Sequence, residues 1–342
     1  MRVEAIVRDP PLGQLTPLAR RIERLGFAGI AIPEIRRDPF ILATLLANAT
    51  TSLRLSTAVA LAFPRSPTST AYSARTVHDL SLGRFGLGLG TQVRGHIERR
   101  FGMTWSAPVE RLRECIQAIR AVWHSWDTGS PPDFAGQQYR VTLMPPDFSP
   151  GANPHAPIPI HIGAVNTGML ELAGALCDGV RLHPFCTPRY LTEVVLPSIS
   201  LGAERAGRTS RDVEIVAGGF IATGPDEPSV LAAREEVRRQ IGFYASTRSY
   251  APVLALHGWE DLGGQLRRLI AQQRWADLAS LITDDILDSF CIAGTYGAVA
   301  PVIAETLSGL VNTLTLSIPE DDAHDDELGR LVRQLQTVPG AG

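Results

Sequence analysis

Apolar positions along this chain follow two alternating rhythms. Short, nearly continuous apolar runs, the pattern of strands buried on both faces, alternate with longer segments whose apolar residues recur every three or four positions. The strand-like runs are Val3–Val7, Gly29–Pro33, Leu53–Leu61, Phe85–Leu89, Ile158–Ile162, Gly179–His183, Val213–Ile221 and Val311–Ile318. Between them lie helical patterns at Leu15–Leu25, Pro39–Ala49, Thr68–Leu80, Pro108–Trp126, Thr167–Leu176, Pro188–Ala206, Glu227–Tyr244 and Ala298–Leu310, and Glu327–Leu335 closes the chain. The first helix sets Leu15, Leu18, Ala19 and Ile22 on one face and stops at Gly26, a natural terminating residue. Val109, Leu112, Ile116, Ile119 and Val122 line one side of the fourth. Eight strands, each followed by a helix, predict a parallel sheet closed as a (β/α)8 TIM barrel rather than an open doubly wound sheet. Two stretches break the rhythm: 127–157, rich in Pro, Gly and Asp around a hairpin at Phe134–Tyr139, and 246–289, made of short helical pieces. Both read as insertions at the C-terminal face, too irregular for a second domain, so residues 1–342 are expected to form one.

Composition narrows the chemistry. The chain has 342 residues, 44% of them hydrophobic, enough for a full core, and a net charge of −3. That charge gives no reason to expect nucleic acid or a membrane surface as partner, and no apolar run approaches bilayer-spanning length. The start, Met1–Val7, reads as a first strand rather than a signal peptide, and Cys115, Cys177, Cys186 and Cys291 lack paired spacing. Reduced cysteines, no metal site and a cytoplasmic location are the expectation. All 32 Lys+Arg residues are arginine. Schiff-base chemistry and P-loop phosphate binding, which need a lysine amine, are thereby excluded, and anions fall to arginine forks or backbone N–H groups.

The segment Leu82-Gly-Arg-Phe-Gly-Leu-Gly-Leu-Gly-Thr91 is unusual, because strand interiors avoid glycine. Gly86, Gly88 and Gly90 point to close approach by a flat ligand or another backbone. A Rossmann fingerprint fails: counted from Gly88, the last glycine of G-x-G-x-x-G falls on Val93. The segment instead resembles the fourth barrel strand of the bacterial luciferase-like monooxygenases, and the loop after it, with Arg94-Gly-His-Ile-Glu-Arg-Arg-Phe-Gly102, resembles the branch using the deazaflavin coenzyme F420. The resemblance extends over essentially the whole chain and names the same barrel.

That resemblance implies a site at the C-terminal ends of the strands. It implies a non-prolyl cis peptide at Ala58–Val59 against the coenzyme ring, with Gly88, Gly90 and Thr91 beside it and coenzyme contacts on the turn Gly163-Ala164-Val165-Asn166. Capping of the following helix by Asn166 or Thr167 is the plainer use of that turn. Glu34 stands at the family's acidic position at the ring edge; a salt bridge to Arg36 or Arg37 is its structural alternative. The next position, histidine in several alcohol- and sugar-phosphate-oxidising relatives, is Ile35 here. Isoleucine moves no proton, so His96, on the loop after the glycine-rich strand, Glu34 and His183 are the candidates for acid–base work. His161 faces either into the barrel or toward a helix, and His78 reads as structural. Arg94, Arg99 and Arg100 meet the coenzyme's acidic tail or form a solvated cluster. Phe63, Trp105, Phe185, Tyr244, Tyr250 and Trp259 are candidate pocket walls.

The resulting expectation is a cytoplasmic, homodimeric oxidoreductase that uses coenzyme F420 to move hydride to or from a small organic substrate. Two alternatives stay open: an FMN-dependent monooxygenase on the same barrel, and a non-catalytic coenzyme-binding protein.

Overall fold

The computed structural model describes residues 1–342. Its first half runs through β1 (Arg2–Ile6), α1 (Leu12–Arg24), β2 (Gly29–Ile32), α2 (Pro39–Ala49), β3 (Arg54–Thr57), β4 (Ala60–Leu61), α3 (Pro67–Leu80), β5 (Phe85–Gly90), α4 (Arg94–Arg99) and α5 (Pro108–Thr128). A hairpin of β6 (Phe134–Ala135) and β7 (Arg140–Val141) leads to β8 (Ile160–Ala164), α6 (Thr167–Leu176) and β9 (Gly179–Leu182). Then come α7 (Pro188–Tyr190), a π-helical turn at Leu191–Val195, α8 (Leu196–Arg205), β10 (Glu214–Ala217), β11 (Phe220–Gly224) and α9 (Glu227–Ala245). The chain finishes with α10 (Ala251–Leu256), α11 (Glu260–Ala271), α12 (Asp284–Phe290), β12 (Cys291–Thr295), α13 (Val299–Leu307), β13 (Thr313–Ser317) and α14 (Asp325–Gln336).

The sheet order β3-β2-β1-β13-β10-β9-β8-β5-β4 closes on itself through β3–β5, giving an eight-stranded parallel barrel in which β3 and β4 count as one interrupted strand. β5 spans the interruption, pairing Leu55 with Phe85 below it and Ala60 with Leu89 above it. Local chemistry sets many helix starts. Asp38 accepts from the Phe40 and Ile41 N–H groups ahead of α2, Ser66 caps α3 and Asp226 caps α9, each followed by a proline in the first turn. Gly129, at φ +74°, ends α5. A continuous cluster of 77 buried apolar residues fills the space between the strands' outer faces and the helices.

Inside the barrel the packing is polar. Glu4, Ser56, Arg181 and Thr315 project inward at one level, where (β/α)8 barrels more often stack branched aliphatics. Arg181 donates to both carboxylate oxygens of Glu4 at 2.7 and 3.2 Å and to Ser56 Oγ at 2.6 Å, and Thr315 Oγ1 donates to Glu4 at 2.9 Å. This layer separates a cavity of about 340 Å³ at the strands' N-terminal ends from one of about 360 Å³ at their C-terminal ends. His161 points into the lower one, buried 3.9 Å from Glu214, and burial lowers its pKa to about 4.

Three expectations about elements change. The 92–102 segment is not all loop, since α4 forms there with Ile97 buried beneath it. The run 213–221 is two strands: after Gly218–Gly219, the second at φ +62°, β11 leaves the barrel and pairs in parallel with β12. β12 gave no clear apolar rhythm, because Gly294 and Thr295 interrupt it. The 127–157 insertion leaves the lower end of α5 and climbs its outer side, held where Glu114 accepts from the Gln137, Gln138 and Tyr139 N–H groups. It then descends along α3, giving carbonyls of Gly151 and Ala152 to Arg75 and that of Ala156 to His78.

Candidate functional site

All eight barrel strands contribute to the upper cavity. Ile6 and Arg8 follow β1, Ala31 lies on β2, and Ala58–Val59 stand at the β3–β4 break. β5 brings Gly90 and Thr91, β8 the Gly163–Asn166 segment, β9 Arg181–Pro184, β10 Val216–Gly219 and β13 Thr315 and Ser317, while Ser249 and Tyr250 close one side.

The Ala58–Val59 peptide bond is cis. Around it, absent side chains make the room. A Cβ on Gly90 would lie 2.3 Å from Val59 Cγ2, and one on Gly163 would reach Val59 Cγ1 at 3.5 Å. Val59, half-buried in the cavity wall, therefore packs its methyls into the space the two glycines leave, forming an apolar cradle. Beside it the backbone of Val165 and Asn166 opens α6, where Asn166 makes no side-chain cap bond. Gly163 and Ala164 are strand residues rather than part of a turn.

Gly88 does not belong to this cavity. Its missing Cβ would meet Thr57 O at 2.0 Å, and Thr57 Oγ1 both donates to Gly88 O and accepts from Gly88 N. Gly88 faces the lower cavity and serves strand packing.

Glu34 is occupied elsewhere. Its carboxylate, 9% exposed, accepts from the Leu61 N–H at 2.8 Å and from both terminal nitrogens of Arg65 at 2.7 and 3.0 Å. Arg65 also bridges Asp38 at 2.7 Å. The partner is thus Arg65 rather than Arg36 or Arg37, and the carboxylate clamps β4 from outside the cavity.

His96 is also displaced. The turn of α4 that buries Ile97 leaves His96 exposed and away from the cavity.

His183 does line the cavity. Its Nδ1 accepts the Phe185 N–H at 3.0 Å, so the neutral ring carries its proton on Nε2. The ring lies 4.3 Å from Tyr244 and 4.9 Å from Tyr250 between centroids. Burial, with a smaller effect from Arg8, lowers its pKa to about 4. Burial likewise raises the Tyr250 phenol, so both groups are neutral donors near pH 7. Of the other aromatics, Phe63 packs on Trp105 and Arg111, Phe185 is fully buried, and Trp259 stacks on His257.

Four arginines ring this end of the barrel without a carboxylate. Arg37 and Arg94 pair with Asp9 and Glu98, whereas Arg8 and Arg36, after β1 and β2, and Arg99 and Arg100, at the end of α4, form no ion pair, and of these four only Arg8 lines the cavity. Arg8 escaped the sequence reading, as did Arg181 with Glu4, while Arg36 was read only as a partner for Glu34. For Glu4 and Arg181 the available signal was a charge inside an otherwise apolar strand run.

The family model for luciferase-like monooxygenases matches residues 2–313. The chain belongs to that family. Within it, the protein Rv1360 of Mycobacterium tuberculosis is 38% identical over 302 residues, 88% of each chain. The 5,10-methylenetetrahydromethanopterin reductase of Archaeoglobus fulgidus is 29% identical over 83% of this chain and 82% of its own. The coenzyme F420 dependent tetrahydromethanopterin reductase of Methanopyrus kandleri shares the fold, with a TM-score of 0.77 at 21% identity over 98% of this chain and 97% of that one. In this luciferase-like chain Ile35 is 44% exposed and supplies only its carbonyl, which accepts from Arg100 at 2.9 Å.

Proposed function

We propose that this luciferase-like protein is a coenzyme F420-dependent oxidoreductase that moves hydride between the deazaflavin and a small organic substrate at the upper cavity. The observation carrying this reading is the cradle itself: half-buried Val59 at the cavity wall, packed against Gly90 and Gly163, with the unpaired Arg8 in the same lining. A flat, partly apolar ring suits the first, and an acidic tail suits the second. The reductase names of the archaeal relatives point the same way.

When bound, the deazaflavin supplies a ring carbon that exchanges hydride and avoids one-electron oxygen chemistry. The chain's own residues do the rest. Val59, Gly90 and Gly163 would hold the ring, Thr91 and the Val165–Asn166 backbone its polar side chain, and Arg8, Arg36, Arg99 and Arg100 its acidic tail. Ile6, Val216 and Met169 exclude water from the wall. His183 Nε2–H and the Tyr250 hydroxyl hold protons at the cavity edge, where they would donate hydrogen bonds to a substrate oxygen or nitrogen. A neutral pair of donors thereby stands in for the family histidine replaced by Ile35.

Equilibrium titration with F420 and with FMN in one buffer tests the proposal. F420 is expected to bind about tenfold tighter or more, a difference of about 1.4 kcal/mol. Tighter FMN binding with oxygen consumption on adding reduced FMN overturns it for a monooxygenase. Tight F420 binding without turnover of any ketone, imine or enone overturns it for a coenzyme-binding protein.

A further inference from the structure

We infer that the substrate is a neutral molecule whose apolar body lies in a second cavity beside the mouth. The inference rests on the hydride-transfer reading above and names the substrate class for that site. The second cavity, about 210 Å³, lies between the β9–α7 and β10 ends on one side and α12, β12 and α13 on the other. It shares Leu182, His183, Ala217, Gly218 and Gly219 with the upper cavity, so the two adjoin where β11 departs from the barrel. At Gly219 the junction carries no side chain: a Cβ there would find nothing nearer than Phe290 O at 3.7 Å.

The wall chemistry fixes the class. Ten of its eighteen lining residues are hydrophobic, Leu191, Phe290, Ile292, Ala293, Val302 and Leu307 among them, and Thr187, Ser289 and Thr306 add uncharged hydroxyls. No arginine faces this cavity, and its one carboxylate, Asp288, is largely exposed and paired with Arg234 at 2.6 Å. The Cys186 and Cys291 thiols are pushed up to about 12 and about 11 by burial and stay neutral. An anion entering would lose its hydration and meet no cation; a hydrocarbon body loses nothing. A separate feature points to the same place. The helical path between Thr187 and Arg205 is interrupted by the π turn Leu191–Val195, and its first residue lines the cavity. Such turns concentrate at functional sites.

Size bounds the body. An apolar cavity of about 150 Å³ takes benzene, so this one accommodates a six-membered carbocycle with a short extension, or an alkyl chain of similar bulk. The polar, reducible end then remains at the shared edge, beside His183 and Tyr250.

The test is calorimetric titration of the coenzyme-loaded protein, and of the same protein without coenzyme, with methyl ketones from butanone to decanone and with carboxylates of matching length. Affinity for the ketones is expected to rise about fourfold per methylene and level off once the cavity is filled. The carboxylates are expected to bind at least about tenfold more weakly. Ala293→Trp, which fills the cavity, should abolish the chain-length dependence while the coenzyme affinity stays within twofold. Val302→Trp, at the exposed rim, is the second variant should the first not fold. A flat ketone series in the wild type, tighter carboxylates, or an unchanged series in the folded variant overturns the inference. Coenzyme binding is read separately. Ketones that titrate in a protein binding neither F420 nor FMN leave the cavity standing and overturn the function instead; a flat series in a protein that binds F420 overturns the cavity alone.

Discussion

Gly88 and Gly90 stand two positions apart on one strand and answer to different neighbours. A side chain at Gly88 collides with backbone, Thr57 O, which cannot rotate away. Gly88→Ala is therefore expected to lower stability in urea by about 1–3 kcal/mol, while the folded fraction binds coenzyme normally. A side chain at Gly90 collides with the Val59 isopropyl group. Gly90→Ala is expected to fold and to weaken coenzyme binding about tenfold or more, and adding Val59→Ala should recover part of that loss, a coupling read by a double-mutant cycle. The two histidines divide in the same way. His96→Ala, on the exposed face of α4, should leave turnover unchanged within about twofold. His183→Phe, which removes a donor at the cavity edge, should lower kcat about 10²-fold. His183→Gln, which keeps an N–H donor, should recover part of it.

At the scale of elements, β4 is the piece that positions Val59, and β4 is held by a carboxylate from another loop. Glu34 binds the Leu61 N–H, and its own N–H reaches Val59 O at 3.4 Å. Glu34→Ala leaves Arg65 with Asp38 alone; the expected loss is about 3 kcal/mol in chemical denaturation, with weakened coenzyme binding because Val59 is no longer fixed. This clamp also marks where the sequence stopped being legible. Elements governed by near neighbours were read well: α2 and α6 begin and end where their periodicity and flanking residues said. The rest depended on partners far along the chain. Arg65 lies 31 residues beyond Glu34 and Arg181 lies 177 beyond Glu4, and no local pattern announces either pair. The glycines of β5 were legible as close-approach positions, but whether a backbone, a valine or a ligand approaches is decided by β3, β4 and β9. α4 stayed hidden because it is only six residues long and its single buried Ile97 gives no periodicity. His183 was legible as a cavity-lining position because it directly follows β9; His96 also follows a strand, but it lies on the exposed face of α4.

On the scale of the whole molecule, the barrel interior is built from charge rather than hydrocarbon, and that makes it sensitive to single replacements and to acid. Arg181→Met leaves Glu4 buried beneath the cavity without its cation, with an expected loss of about 3–5 kcal/mol and, since Arg181 lines both cavities, a measurable change in coenzyme affinity. Acid acts through the buried imidazoles. His183 has a folded pKa of about 4, below its ordinary value of 6.5. Its contribution is fully present above pH 6.5 and is lost as pH falls toward 4, because the unfolded chain takes up the proton first. The unfolding free energy read by urea titration should therefore drop across that window, by about 1–3 kcal/mol from this residue, and His183→Phe should flatten that part of the profile. A profile that is level between pH 7 and 4 counts against a neutral buried ring.

The pairing of β1 with β13 has a further consequence, in time rather than space. Arg2 is hydrogen-bond register partner to Thr313, 311 positions later. β1 thus finds one of its two neighbours, β2, almost at once and must wait for the other. At about 5–20 residues per second, that wait is roughly 15–60 s. For its whole duration β1 offers a row of unmatched N–H and C=O groups to any other nascent chain. The charged side chains it carries, Arg2 and Glu4, discourage such pairing, so residues that later line the lower cavity also protect the strand before the barrel exists.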